Sequence, residues 1–133
     1  MKSRRRIVLA AVIVLVAIII AVFGAKSYIE ASLVKLTETS IPDVDLSKIA
    51  DGVYKGSHKV FPVEAEVRVT IENHKIIGIE LVKHFNGQGT AAEVIPDGVT
   101  EAQSLKVDIV SGATYSSKVI LKAIENALQS ANR

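Results

Sequence analysis

The distribution of apolar and polar residues divides the chain into a long apolar segment and a mixed region that follows it. Residues 7–25 read IVLAAVIVLVAIIIAVFGA and contain no charged side chain. A helix of about 20 apolar residues is long enough to cross the roughly 30 Å hydrocarbon core of a bilayer. The basic sequence MKSRRR precedes this segment, and such a cluster favours the cytoplasmic side of a membrane. The pattern predicts one transmembrane helix, with the rest of the chain outside the cytoplasm.

A cleaved signal peptide is the alternative interpretation of the same segment. The apolar region of a signal peptide is about 7–15 residues long and is followed by small residues at the cleavage point. Here the apolar run is longer, and Phe23 is an unfavourable neighbour for cleavage near Gly24 or Ala25. We favour a retained anchor, and under either interpretation the remainder of the chain is exported.

An alternation of period two predicts an antiparallel sheet in the region after residue 50. Apolar residues occupy every second position from Val63 to Ile71, with polar residues between them, which is typical of a half-buried strand. Asn73-His74 predicts a tight turn, and residues 76–83 are expected to return as a partner strand with Ile77, Ile79 and Leu81 on one face. The sequence DGVYKG at residues 51–56 predicts a further short strand.

Helical signals flank this predicted sheet on both sides. Residues 26–38 are expected to continue the apolar helix until Pro42 stops it. Thr90 and Glu93 have the spacing of a capping box, which predicts a short helix ended by Pro96, and residues 97–105 are a second short helical candidate. A brief strand is predicted at residues 107–110. An amphipathic helix is predicted at residues 116–131, with its polar face at Lys118, Lys122 and Glu125.

These elements predict an α+β fold, in which an antiparallel sheet is packed with helices and one N-terminal transmembrane helix precedes it. We expect a cytoplasmic tip and anchor at residues 1–25, a stalk at 26–50 and a single folded domain at 51–133. The 133 residues leave room for one small domain beside the anchor. The net charge of +2 is too small to indicate a nucleic-acid partner, and the absence of cysteine excludes disulfides and thiolate-ligated metals.

The segment 108–114, which reads DIVSGAT, lies between the predicted final strand and the predicted final helix. The start of a helix presents free backbone N–H groups and the positive end of the helix dipole, and glycine lets a phosphate approach the backbone closely. Hydroxyl groups in such a turn also serve simply as helix caps. From the residues alone, an anion site and a plain cap are both open.

This motif resembles the flavin acceptor motif of the FMN-binding domain family, which reads Asp, two variable residues, Ser or Thr, Gly, Ala or Ser, and Thr or Ser. The resemblance extends over roughly residues 51–128, including DGVYKG and QSLKVDIVSGATYSSKVILKAIENAL. It implies FMN as the cofactor, and Thr114 as the residue that a Mg²⁺-dependent flavin transferase esterifies with the FMN phosphate. It also implies supporting positions at Asp108, Ser111, Gly112 and Ala113.

The loop after the predicted hairpin departs from the pattern of many family members. They carry a Glu-Thr-Pro-Gly-like loop, whereas this chain has HFNGQGTAAEVIP, which implies a small stand-alone anchored type rather than an ion-pump subunit. His84, Gly87 and Gly89 of this loop, and Tyr115 after the acceptor, are our candidate contacts of the flavin ring. The three histidines lack metal-ligand spacing, and no catalytic residue is predicted.

The resemblance and the predicted anchor together imply a single-pass protein of the cytoplasmic membrane that carries FMN outside the cytoplasm and transfers electrons. The expected partners are the lipid bilayer, the flavin transferase and a membrane-bound electron donor such as a quinone-linked dehydrogenase. Such a protein is an electron carrier rather than a turnover enzyme. Two alternatives are open, namely a non-covalent FMN-binding sensor or reductase module, and a cofactor-free extracellular binding module.

Overall fold

The computed structural model describes residues 1–85 and 89–132, which fall in two compact units, Met1–Ser32 and Leu33–Arg133. All residues of the first unit except Met1 belong to helix α1, which begins at Lys2 and ends at Glu38. Its most apolar window has a mean hydropathy of 3.4 and is not buried against other protein. Within the described residues, α1 is therefore the one helix long and apolar enough to cross a membrane. It ends before Pro42, as the sequence predicted.

The second unit contains a three-stranded antiparallel sheet in the order β1-β2-β3 within the described residues. The strands are β1 at Gly52–Val60, β2 at Val63–Glu72 and β3 at Lys75–Phe85, and short 3₁₀ helices lie at Leu46–Lys48 and Thr90–Val94. Helix α2 follows at Ile95–Ala102 and helix α3 at Thr114–Ser130. The predicted α+β class, with helices packed on an antiparallel sheet, is confirmed.

The β2–β3 hairpin forms as predicted, but two bulges in β3 change which of its side chains face the core. Asn73 and His74 have φ of 51° and 60°, the left-handed conformation that a two-residue hairpin turn requires. Thr70 pairs with Gly78 whereas Ile71 pairs with Ile76, so one extra residue lies between these pairs. Ile76 is therefore buried and Ile77 is 52% exposed. The prediction that Ile77 shares one face with Ile79 and Leu81 was wrong, because a bulge reverses the alternation locally.

The segment between the sheet and α3 also differs from the prediction. Pro96 does not end a helix, since it lies in the first turn of α2, where its missing N–H costs no helical hydrogen bond. The predicted short helix forms as the 3₁₀ helix Thr90–Val94, but its N-cap residue is Gly89 rather than Thr90, and the Glu93 carboxylate lies 3.1 Å from Nδ1 of His84. Residues 107–110 do not join the described sheet, so the predicted strand there was wrong.

Helix α3 covers the inner face of the sheet with the apolar face that the sequence predicted. Its buried apolar residues are Val119, Ile120, Leu121, Ala123, Ile124, Ala127 and Leu128. Glu125 was expected on the polar face, yet it is only 2% exposed. Its carboxylate accepts hydrogen bonds from Lys122 Nζ at 2.6 Å and Gln129 Nε2 at 2.7 Å, which offset the cost of burying a charge. Burial and the charge of Lys122 lower the pKa of the neighbouring His58, and Glu125 opposes this shift.

Residues that precede the sheet contribute to the same core. Leu36 in the last turns of α1 is 5% exposed, and Ile49 is completely buried. Lys118 of α3 donates a hydrogen bond from Nζ to the carbonyl of Thr39 at 2.9 Å, and a cation at this position also suits the negative end of the α1 dipole. The end of α1 is thus held by the burial of Leu36 in the core and by a charged hydrogen bond from α3 to the following residue, Thr39.

The approach of α3 to β1 is closest at Gly56. A Cβ atom built on Gly56 would overlap the backbone of Ala123 and Ala127, and would lie 2.7 Å from the Cβ of Ala127. No side chain larger than hydrogen fits there unless helix and sheet move apart. The absence of a side chain at Gly56 therefore sets the distance between α3 and the sheet.

We predict that Gly56→Ala destabilises the domain by about 1–3 kcal/mol, as is usual when an extra methyl is forced into a packed core. Urea unfolding monitored by circular dichroism measures the change. Gly78→Ala in β3 is the matched control, because a Cβ at Gly78 meets no atom within 4 Å. Equal stability of the two variants would contradict the close approach.

Candidate functional site

The chain leading into α3 is held in place by one exposed carboxylate. Asp43 accepts hydrogen bonds from Ser104 Oγ at 2.7 Å and from the backbone N–H of Leu105 at 3.0 Å. Partial burial opposes ionisation of this carboxyl, but the hydrogen bonds from Ser104, Leu105 and Val44 outweigh it and lower the pKa of Asp43. Asp43 therefore fixes the start of the segment that carries the DIVSGAT motif.

The motif itself forms a tight turn that opens α3. Gly112 has a φ of 80°, a left-handed conformation that glycine adopts without steric cost. The N–H of Ala113 donates to the carbonyl of Val110 at 3.0 Å, and the N–H of Ser117 donates to the carbonyl of Ala113 at 2.9 Å. The N–H of Val110 donates to Oγ of the buried Ser117 at 3.2 Å. These bonds lock the turn onto the first turn of the helix.

The first turn of α3 has no hydroxyl cap at its N-cap position. Ala113 is the N-cap residue and makes no side-chain capping bond, so the plain-cap interpretation of the motif does not hold there. Helix geometry leaves the N–H groups of Thr114, Tyr115 and Ser116 without an acceptor inside the helix. They lie at the positive end of the helix dipole, which favours a negatively charged group.

A cleft of about 310 Å³ lies at this end of the second unit. Such a volume is at the lower end of the range usual for small-molecule sites, roughly 300–1,000 Å³. Its walls come from four separate parts of the domain. They are Leu33, Pro62, Val63, Gly89, and the run Gly112, Ala113, Thr114, Tyr115 and Ser116. Thr114 and Tyr115 are exposed, whereas Ala113 and Ser116 are buried, so the Thr114 side chain is accessible to a large reactant.

The structure brings together some of the residues that the sequence singled out. Gly89, Gly112, Ala113, Thr114 and Tyr115 all line the cleft. Ser111 is exposed in the preceding turn and is not among the lining residues.

Other predicted site residues lie elsewhere. Asp108 is exposed and does not line the cleft. His84 also lies outside the lining set, because it is part of β3 with a side chain that is only 2% exposed. Gly87 lies outside the described residues. The predicted phosphate-binding residues Gly112, Ala113 and Thr114 thus line one cleft, whereas His84 lies outside it.

Three lining residues were missed by sequence reasoning, namely Leu33, Pro62 and Val63. Leu33 lies in the last turns of α1, far from the motif along the chain. Pro62 and Val63 lie where β1 turns into β2. Ser116 also lines the cleft, and its hydroxyl near the predicted helix start was a signal that the sequence did offer.

The residues of this cleft fit the chemistry of a flavin nucleotide. The first turn of α3 offers N–H donors and the Thr114 hydroxyl, which suit a phosphate. Leu33, Pro62 and Val63 offer apolar surface, which suits an aromatic ring system or its linker. Gly112 leaves the backbone open to close approach, since a Cβ there meets no atom within 4 Å. Fold and site together define a small α+β domain with a site for a phosphorylated, partly apolar cofactor.

The FMN-binding domain model matches residues 62–129, slightly more than half of the 133 residues. The chain belongs to the FMN-binding domain family, and FMN is its cofactor. The matched range contains β2, β3, α2, the complete DIVSGAT motif and all of α3 except its last residue.

Known proteins with similarity to the chain include two curated relatives and one solved structure. An uncharacterized protein of Treponema pallidum is 34% identical over 86 residues, which are 62% of this chain and 24% of that protein. The NADH:acrylate oxidoreductase of Vibrio harveyi is 31% identical over 84 residues, which are 61% of this chain and 8% of that enzyme. The chain therefore spans a quarter or less of the curated relatives it matches.

The solved structure is a crystal structure of a Clostridium perfringens protein. It has a TM-score of 0.52 and 21% identity, and the match covers 63% of this chain and 89% of that one. At this identity the likeness shows a shared fold.

We predict that the stabilising contribution of Asp43 depends on pH. Its pKa is lowered from the ordinary 3.8 in the folded chain, so the carboxylate stabilises the fold above the unfolded-state pKa and loses this effect as pH falls through the folded-state pKa. Asp43→Asn should therefore lower the urea midpoint at pH 7, and the difference from the unmodified chain should shrink as pH falls below about 4. Glu101→Gln, at an exposed position in α2, is the control. A difference for Asp43→Asn that does not vary with pH would contradict the assignment.

Proposed function

We propose that the chain is a membrane-anchored flavoprotein that carries FMN on an extracytoplasmic domain, joined through its phosphate to Thr114, and that it acts in electron transfer. The observation that carries this proposal is the position of Thr114. It is exposed, it is the first residue of α3, and it lines the cleft. An attacking hydroxyl at this point has helix N–H groups beside it to hold the phosphate.

The residues of the chain have separate tasks in this proposal. The Thr114 Oγ would form a bond to phosphorus while the bond from phosphorus to the leaving group of an activated flavin nucleotide, supplied with the transferase, breaks. The hydroxyl proton leaves with that group. The first turn of α3 holds the phosphate oxygens, while Leu33, Pro62 and Val63 shield the less polar part of the cofactor from water. When bound, FMN supplies the electron chemistry through its ring, and the protein sets its position and electrostatic surroundings.

Electron transfer is supported by the family context. One relative is named as an oxidoreductase and contains a segment similar to this domain. Covalent attachment would keep the cofactor on an exported domain whatever its intrinsic affinity, because a tethered ligand has a high effective concentration. A membrane-bound donor, such as a quinone-linked dehydrogenase, suits a carrier that is itself tethered to the membrane.

The anchor is supported by α1. Its hydropathy and length are sufficient for one membrane crossing, and the Lys and Arg residues at positions 2–6 favour a cytoplasmic N-terminus. The β-sheet domain would then lie outside the cytoplasm.

We predict that co-expression with a flavin transferase adds the mass of FMN less one water to the chain. Intact mass spectrometry under denaturing conditions measures the shift, since only a covalent product survives denaturation. Thr114→Val should abolish it completely. Ser40→Ala, which removes an exposed hydroxyl outside the motif, is the matched control and should leave the labelled fraction unchanged.

The other possible results of this experiment are equally informative. An unshifted chain that still binds FMN reversibly, made beside a transferase that labels a control substrate, would replace the covalent proposal by a non-covalent flavin module. A shift that persists in Thr114→Val and disappears in Ser111→Ala would move the attachment point.

We predict that the chain spans the membrane once with its N-terminus inside. Because the sequence has no cysteine, single cysteines introduced by Ser3→Cys and Ser57→Cys report their own compartments. In intact cells a membrane-impermeant maleimide should label Ser57→Cys, whereas Ser3→Cys should react only after permeabilisation. Labelling of both positions in intact cells, or of neither, would contradict this topology, and a mature chain lacking residue 3 would indicate a cleaved signal peptide.

A further inference from the structure

His84 is turned toward the interior by the second bulge of β3. Glu66 pairs with Lys83 whereas Val67 pairs with Leu81, so Val82 is the extra residue and the alternation reverses again. His84 consequently lies opposite Ala65, a fully buried residue of the inner face. The small alanine side chain leaves room for the imidazole, which is only 2% exposed.

The buried imidazole contacts a carboxylate from the next element of the chain. Nδ1 of His84 lies 3.1 Å from Oε1 of Glu93. A carboxylate only accepts hydrogen bonds, so Nδ1 is the donor. Glu93 belongs to the 3₁₀ helix Thr90–Val94, and its side chain is 43% exposed. The bond therefore connects this short helix to β3.

Both elements joined by this contact, the 3₁₀ helix and the sheet, lie next to residues that line the cleft. The 3₁₀ helix begins directly after Gly89, which lines the cleft. On the sheet, Ala65 opposite His84 is two residues from Val63, another lining residue, and such a step along a strand is about 6.6 Å. The first turn of α3 supplies the donors for a phosphate, whereas Gly89, Pro62 and Val63 supply backbone and apolar surface.

We propose that the His84–Glu93 pair positions the Gly89 side of the cleft against the part of FMN beyond its phosphate. This inference rests on the proposed FMN site and adds a role that neither residue was expected to have. His84 is thus a positioning residue that acts through Glu93, rather than a contact of the flavin ring. Loss of the pair should weaken the binding of the riboflavin portion of the cofactor and leave the phosphate contacts intact.

The test measures the dissociation constants of FMN and of riboflavin by fluorescence titration of the full chain in detergent, made without a transferase. Glu93→Ala and His84→Leu should each weaken both ligands by about tenfold, as expected for one hydrogen bond to a charged group. Glu93→Gln keeps an acceptor oxygen and should stay within about threefold of the unmodified chain. Glu101→Ala, at an exposed acidic position of α2, is the control and should change neither constant. Thr114→Val should weaken FMN more than riboflavin, which separates the two ends of the site.

A double variant distinguishes coupling from two independent defects. If the two residues act as one pair, Glu93→Ala combined with His84→Leu should bind no more weakly than the weaker single variant. Multiplied losses would overturn the proposal, as would unchanged affinity in Glu93→Ala. If His84→Leu fails to fold, the comparison of Glu93→Ala with Glu93→Gln still tests the proposal. Glu93 is partly exposed, so its substitution should not prevent folding. An unmodified chain that binds neither ligand would overturn the positioning role, and it would overturn the proposed function as well if the chain also takes up no FMN from a transferase. Normal binding with an insensitive Glu93→Ala overturns only the positioning role.

Discussion

The contact between α3 and the sheet at Gly56 is the constraint on which the rest of this domain depends. The helix closes the core and also begins with the turn that lines the cleft, so its depth on the sheet sets the position of Thr114. Backbone meets backbone where β1 passes Ala123 and Ala127, and close packing of this kind tolerates little displacement. The buried carboxylate of Glu125 accepts hydrogen bonds from Lys122 and Gln129 of the same helix, so these bonds stabilise α3 itself, whereas its position on the sheet depends on the packing at Gly56. The cleft at the N-terminus of α3 is therefore held as rigidly as the core on which the helix packs.

Features that depend on local periodicity could be predicted from the sequence, and features that depend on pairing could not. The strand from Val63 to Glu72 and the apolar face of α3 follow from the spacing of their own side chains. The bulges of β3 arise from its register with β2, and no residue of β3 by itself predicts them. Their consequences are the outward position of Ile77 and the inward position of His84. Leu33, Pro62 and Val63 were missed in the site for the same reason, since they meet the motif only after the chain has folded.

The motif was the part of the site that the sequence could predict, because a phosphate needs a contiguous turn and helix start. The remainder of a flavin needs apolar surface, which any element of the fold can provide. In this chain that surface comes from a hairpin and from the end of α1.

The burial of Leu36 affects the choice of the first residue of a soluble fragment of this protein. The apolar helix would ordinarily be removed for work in solution, and the sequence suggests a folded domain that starts at residue 51. A fragment beginning there would lack Leu36 and Ile49 from the core, Leu33 from the cleft and the Asp43 carboxylate that holds Ser104 and Leu105. Weak flavin binding by such a fragment would reflect its missing wall rather than the properties of the intact protein. A soluble fragment should therefore begin at Leu33, where the second compact unit begins.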